Sequence, residues 1–303
     1  MDAPSTTAAT RNTVRDGLAL GIAAYGLWGV LPIYFKLLSA VPATAIVAHR
    51  IVWSMVALGA LVLATGARRE IAAALRHPAT MRLLMLTAVL IAINWLVYVY
   101  AVNSGRILAG SLGYYLNPLA NILLGRFVLK EPLSRLQWLA VGIAAAGIAV
   151  LAAGAWSHLW ISLALCASFA SYGLLRKIAH VDSTAGLTIE TGLLLPFALL
   201  WLLLTSGGPQ PVWGRDGTEL ALLMFAGVAS TLPLLLFTAA ARRLRYSTLG
   251  ILQFIAPTLQ FLVAVFLYGE PFTTSHALAF SAIWIAAALY LMSSWRGARG
   301  GAA

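Results

Sequence analysis

The sequence predicts an all-α membrane protein, with ten transmembrane helices in two inverted five-helix repeats. Three observations carry this. Hydrophobic residues make up 61% of the chain and charged residues 10%, with a mean hydropathy of +0.89, against roughly 45–50% and about 25% in soluble domains. Apolar runs follow one another almost end to end, and about 20 such residues carry a helix across the hydrocarbon core. Pro118 and Glu131-Pro132 recur as Pro257 and Glu270-Pro271, each 139 residues later, and a register shared by two landmarks points to internal duplication.

In order, a polar tail of residues 1–16 leads into spans expected at 17–38, 42–65, 82–102, 107–129 and 135–153. Five more follow at 158–178, 184–205, 219–241, 247–268 and 273–295, before a short tail of 296–303. The two repeats are then 17–153 and 158–295. Barrel strands are near ten residues long and alternate in polarity, so continuous runs of this length indicate helices. A helix also satisfies its own backbone in lipid. The first run, at 17–38, is longer than the roughly 7–15 residue core of a signal peptide, and is expected to stay in the protein.

The net charge of +11 forms no single patch. With a cytoplasmic N-terminus, 16 of the 20 Lys and Arg residues fall at inside ends, and only Lys36, Arg106 and Arg215 outside. Arg50 lies within a span. This bias predicts cytoplasmic N- and C-termini and explains the charge by anionic headgroups at the inner face, without nucleic acid. Cys166 is the single cysteine, so no disulfide or Cys-rich metal site is expected.

Five spans per copy invert the second copy. Lys130-Glu131-Pro132 and Gly269-Glu270-Pro271 then lie at opposite faces, each expected to be helix punctuation: the proline in the first turn of the next helix, the glutamate at that helix's positive end. Further proline breaks are expected at Pro32, Pro118, Pro196, Pro233 and Pro257. Trp138, Trp156, Trp160, Trp201, Trp213 and Trp295 read as interfacial residues. Gly17-x-x-x-Gly21 matches the pattern of close helix approach.

Polar side chains inside spans are the informative ones, since a charge at mid-bilayer costs at least ~2.5–3.5 kcal/mol on insertion scales. His49 and Trp53 share one face of the second span, with Arg50 and Ser54 on the next. Matching Trp28 and Lys36 to Phe169 and Lys177, 141 residues on, sets His49 opposite Glu190. Two readings stand. Either Arg50 snorkels or meets a helix end and Glu190 bonds Thr188 or Thr191, or His49, Arg50 and Glu190 face one cavity and bind a polar group or exchange a proton.

Tyr114, Asn117 and Asn121 make a polar stripe around Pro118, and Gln253 and Gln260 make another around Pro257. Related helices broken in both halves are a pointer to a transporter's midplane site; as amides alone, they would join helices at roughly 1 kcal/mol each. Trp28, Asn94, Trp95 and Tyr98 add an aromatic and amide set. The expected site is therefore His49, Arg50, Trp53, Asn94, Tyr98, Tyr114, Asn117, Glu190, Gln253 and Gln260, with no metal and no cofactor.

Several stretches together resemble the RarD family of EamA-type permeases, in the drug/metabolite transporter superfamily. They are Ala48-His49-Arg50-Ile51-Val52-Trp53-Ser54, Asn94-Trp95 with Ala101-Val102-Asn103, Ser111-Leu112-Gly113-Tyr114 through Asn117-Pro118, Ala240-Ala241-Arg242-Arg243-Leu244, and Gln253-Phe254-Ile255-Ala256-Pro257-Thr258. The similarity runs from about Gly17 to Trp295. It implies ten helices in two inverted EamA repeats, a bacterial inner membrane, and export or exchange of a small molecule by alternating access, with proton coupling open. A passive facilitator on the same scaffold and a membrane scaffold protein are the competing readings. An enzyme is disfavoured, because the sequence holds no His-Glu-x-x-His zinc signature and no Asp pair inside a span. Glu190→Gln and Arg50→Ala are each expected to abolish transport with expression near normal. Substrate and oligomeric state stay open at this point.

Overall fold

The computed structural model describes residues 6–104, 106–152, 159–269 and 274–300, and among these it is helical with no strand. The helices are α1 (Thr6–Leu37), α2 (Ala43–Thr65), α3 (Arg68–Arg76), α4 (Pro78–Asn103), α5 (Ile107–Phe127) and α6 (Arg135–Ala152). They continue as α7 (Leu159–Ile178), α8 (Ser183–Thr205), α9 (Gly217–Arg243), α10 (Tyr246–Gln253), α11 (Ile255–Leu262), a π-helical turn Val263–Leu267, and α12 (Thr274–Gly300). Among the described residues nine helical stretches are long and apolar enough to cross a membrane, Tyr246–Leu267 counted as one; α5 adds a further helix of 21 residues. The outer surface is correspondingly apolar: Leu203 is 70% exposed, Leu204 76% and Phe266 82%. In water such a surface would aggregate; facing lipid tails it costs nothing. The protein is a multi-pass membrane protein.

Local chemistry explains the ends. Gly66, with φ 72°, caps α2 by donating its amide to the Val62 carbonyl, a left-handed position that glycine takes without strain. Asp182 and Asp216 cap α8 and α9, accepting from the amides of Thr184 and of Thr218 and Glu219. Ser134 and Gln137 cap α6 reciprocally, each side chain bonded to the other's amide. The short amphipathic α3 was not among the expected spans, and α4 begins at Pro78 rather than at 82, since proline suits a first helical turn.

The expected proline breaks are largely corrected. Pro32, Pro118, Pro196 and Pro233 lie inside continuous helices, and only around Pro257 is a span divided, at Phe254. A proline removes one intrahelical bond, and packed neighbours hold the other helices continuous. Pro118 illustrates this: Gly250 on α10 leaves room beside its carbonyl, where an added methyl would come within 2.8 Å.

The glutamate punctuation is also corrected. Pro132 precedes α6 rather than starting it, and Glu131 caps α10 instead of α6, as described below. Glu270-Pro271 falls outside the described residues, as do Gly105 and Trp156. Gly17 and Gly21 do mark a close contact: a methyl on either would meet Leu244 or Leu252, at 2.9 Å in each case. Trp138 and Trp160 are exposed near the starts of α6 and α7, Trp213 is exposed in the turn between α8 and α9, and Trp201 is half-buried.

α1 packs on α9, α2 on α8 and α9, α4 on α7, α5 on α7 and α10, and α6 on α12. One core lies between α1, α7, α9 and α10 around the fully buried Tyr25, Tyr172, Phe237 and Tyr246. A second lies between α5, α6, α10 and α12 around Ile122, Phe254 and Tyr290.

Candidate functional site

Helices α1, α2, α4, α5, α7, α9, α10 and α11 line a cavity of about 180 Å³. Arg50 reaches it from the first half of α2, Asn94, Trp95 and Tyr98 from the second half of α4, and Tyr114 from α5. Gln253 enters at the end of α10 and Gln260 from α11, on either side of the break. Tyr25, Trp28 and Phe35 wall it from α1, and Phe169 from α7.

Among the described residues the cavity holds one cation, and no acid pairs with it. Arg50 Nε donates to Ser230 Oγ at 2.6 Å, while its guanidinium stands 5.0 Å from the Trp95 ring centroid and 5.8 Å from that of Phe35. Cation–π contacts of this kind are worth roughly 0.5–2 kcal/mol each; they hold the charge but do not neutralise it. The neighbouring amides are fixed by the frame. Asn94 donates to the Leu165 carbonyl at 3.0 Å and to Ser168 Oγ at 3.1 Å. Asn121 Nδ2 donates to Gln253 Oε1 at 2.7 Å, and Gln260 Nε2 to the Trp28 carbonyl at 3.0 Å. Tyr98 and Tyr114 meet edge to face at 5.7 Å.

Of the ten residues expected at the site, the structure brings together Arg50, Asn94, Tyr98, Tyr114, Gln253 and Gln260. His49, Trp53, Asn117 and Glu190 lie elsewhere, so the expectation of a single cavity shared by His49, Arg50 and Glu190 is corrected. Residues 49 and 50 are neighbours, and a helix turns neighbours roughly 100° apart. His49 therefore faces the connection between α8 and α9. Its Nε2 lies 2.9 Å from the Val212 carbonyl, its Nδ1 accepts from the Trp53 indole at 3.3 Å, and its ring meets Trp213 edge to face at 5.1 Å. An acceptor on one side and a donor on the other set the tautomer with hydrogen on Nε2. Asn117 is fully buried, and its side-chain amide makes no hydrogen bond among the described residues.

Glu190 is buried on α8 with partners that the sequence reading did not name. Thr87 Oγ1 donates to it at 2.5 Å, Tyr172 OH at 3.2 Å, and Arg176 Nε stands 3.6 Å away. Neither Thr188 nor Thr191 takes that place. Thr188 instead donates to the Thr184 carbonyl. Arg176, expected at a cytoplasmic helix end, is 1% exposed. The available signal was the cost of a lone carboxylate in the membrane, which demands a cation nearby. Ser230, the partner of Arg50, carried no signal beyond a hydroxyl on an apolar helix.

One end of the cavity is sealed. Tyr25, Trp28, Phe169, Tyr172 and Phe237 form a connected set of rings with centroids 5.4–6.4 Å apart. Beyond them Tyr246 OH donates to the Ala170 carbonyl at 2.6 Å, and Lys177 Nζ donates to the carbonyls of Ala241 and Leu244 at the end of α9. A second, wider pocket of about 790 Å³ lies outside this seal, between α3 and the turn before α8. Asp182 and Arg242 pair across it at 3.1 Å. Burial alone would raise the Asp182 carboxyl, but the amides of Thr184 and Ser183 and the Arg242 charge outweigh it and hold the group below its ordinary value.

Comparison with known proteins agrees with this architecture. Residues 15–153 match the EamA-like transporter family. An uncharacterised transporter of Pseudomonas aeruginosa is 46% identical over 296 residues, covering 96% of this chain and 98% of its own. Protein RarD of Salmonella typhimurium is 44% identical over 288 residues, covering 92% and 96%, and the uncharacterised transporter YojE of Bacillus subtilis is 44% identical over 283 residues, covering 92% and 94%. A solved crystal structure superposes with a TM-score of 0.72 over 91% of this chain and 97% of its own, at 20% identity, a likeness of fold alone. A multi-pass helical frame around a cavity that carries Arg50, Asn94 and Gln253, with relatives of this similarity along almost the whole length, identifies a membrane transporter, and the chain belongs to the RarD-type branch of the EamA-like transporter family.

Proposed function

We propose that the protein is a secondary permease of the bacterial inner membrane that exports a small metabolite or drug-like molecule by alternating access, coupled to proton entry. Ten spans in two inverted repeats, 17–153 and 158–295, are its frame, with both termini cytoplasmic. Two observations support the repeat. Lys130 and Gly269, 139 residues apart, both take left-handed backbone, at φ 57° and 67°. Exchanging the halves, with α1 for α7, α2 for α8, α4 for α9, α5 for α10 and α11, and α6 for α12, maps the packing on itself. The α1–α9 contact becomes α7–α4, α5–α7 becomes α11–α1, and α2–α8, α5–α10 and α6–α12 return to themselves. A frame related by a two-fold axis in the membrane plane has two equivalent ends, and opening one while closing the other is alternating access.

The observation that carries the mechanism is the one-sided cavity. Its α1 lining runs from Tyr25 to Phe35, the second half of that helix, and the seal lies toward Tyr172 and Tyr246. With the N-terminus inside, the cavity belongs to the outward side and the seal to the cytoplasmic side. Arg50, Asn94, Tyr98, Tyr114, Gln253 and Gln260 would then bind the substrate, and Glu190 would carry the proton. Purified protein in liposomes tests this: an imposed pH gradient should drive efflux, and Arg50→Ala should abolish it at normal yield. Equal flux with and without the gradient would assign the passive facilitator instead.

A further inference from the structure

We infer that the ligand of this cavity is a small organic anion, a carboxylate on a flat apolar or aromatic body, held by the Arg50 guanidinium. The inference rests on the permease reading for its physiological meaning, but its physical basis is the cavity itself. A cation in the membrane costs at least ~2.5–3.5 kcal/mol, and the usual remedy is an acidic neighbour. Arg176 has Glu190 and Arg245 has Glu131. Arg50 has no ion pair among the described residues, and no Asp or Glu lines the cavity. Its Nε is committed to Ser230 and its plane is steadied by Trp95 and Phe35, which leaves the terminal nitrogens as a fork of donors with the geometry of a carboxylate.

The rest of the wall selects the body of the ligand. Trp28, Tyr25 and Phe169 present ring faces and edges, and the amide donors of Asn94 and Gln260 are spent on backbone and hydroxyl acceptors. Most of the remaining wall is carbon and ring surface, with Gln253 and the hydroxyls of Tyr98 and Tyr114 among its other polar groups. An apolar cavity of about 150 Å³ takes benzene, so 180 Å³ has room for one ring bearing a short acid. A cation would be repelled by Arg50, with no carboxylate in the lining and only ring faces to attract it, and a neutral analogue would leave the guanidinium without a counter-charge.

The test uses three shape-matched probes on the full-length protein in phosphatidylcholine nanodiscs, read by titration calorimetry: phenylacetate, phenylacetamide and 2-phenylethylamine. Phenylacetate should bind at least about tenfold more tightly than either other probe, the scale of one charge-assisted bidentate contact. Arg50→Gln should erase that preference, and Arg50→Lys should keep it at lower affinity. Equal or tighter binding of the amide or the amine, no binding of phenylacetate, or a preference that survives Arg50→Gln overturns the inference. Because the three-probe comparison is made on the unmodified protein, a variant that fails to fold does not remove the test. Selective binding of phenylacetate with no flux in liposomes would overturn the permease reading and leave the anion site standing. Binding and flux of the amine would do the reverse.

Discussion

Glu131 and Ser247, 116 residues apart in sequence, are joined at the first turn of α10: Ser247 Oγ donates to the Glu131 carboxylate at 2.6 Å. The same carboxylate accepts from the amides of Tyr246 at 2.7 Å and Ser247 at 3.0 Å, the first turn of α10, and Arg245 stands 3.8 Å away. How it arrives there is local chemistry. α5 ends with Lys130 in left-handed backbone and the Glu131 amide bonded to the Gly125 carbonyl at 2.9 Å, a helix stop that turns the next side chain back across the helix end.

Glu131→Ala should therefore act as the loss of a helix cap across an interface. A cap is worth about 0.5–2 kcal/mol, so a lower thermal midpoint is expected in detergent. Glu131→Gln, which keeps an acceptor, should fall between. A midpoint unmoved by Glu131→Ala would show that the contact carries no stability.

The sequence-based expectation of near-normal expression for Glu190→Gln is corrected by the Arg176 pairing: the variant should lower folded yield as well as transport, because it leaves Arg176 buried without its counter-charge. Breaking one side of a buried pair costs about 3–5 kcal/mol, whereas replacing both partners by apolar residues of similar size is often neutral. The double variant Arg176→Met with Glu190→Leu should recover yield without recovering pH-driven flux. Size-exclusion profiles of the single and double variants check the first part, and liposome flux the second.

Gly227→Ala should disrupt the crossing of α2 and α9. A methyl there would collide with the backbone of Trp53 and Ser54, and Ser54 Oγ donates to the Gly227 carbonyl at 3.1 Å, so the helices cannot part without losing that bond. Overpacking of this kind costs about 1–3 kcal/mol. Gly192→Ala on α8, where a methyl meets nothing within 4 Å, is the control and should leave the melting midpoint unchanged or slightly raised.

The Asp182 carboxyl is held below its ordinary value, so it contributes stability at neutral pH. That contribution is lost as pH falls through the folded value, below the ordinary carboxylate range of about 3.9. Asp182→Asn should therefore lower the melting midpoint slightly at pH 8, change little at pH 3, and so flatten the acid end of the stability curve. The side chain is half exposed, which keeps the effect small. Melting curves between pH 3 and pH 8 read it directly.

Bilayer-length apolar runs and the Pro-to-Glu spacing were legible in the chain, because the membrane constrains composition residue by residue and needs no knowledge of what packs on what. So were the polar stripes: Arg50, Asn94, Tyr98, Tyr114, Gln253 and Gln260 stand out among apolar neighbours wherever they point. Which of these costly groups face one another was decided only by the folded helices. His49 follows the same helix as Arg50 but is turned away from it, and Glu190 needed Arg176 and Thr87, which are far from it on other helices or one helix earlier. A proline likewise declares a missing hydrogen bond but not whether neighbours hold the helix straight, which is why Pro118 runs through and Pro257 sits at a break. Composition is a one-body property, whereas pairing and cavity are properties of helix rotation, and rotation is settled by packing.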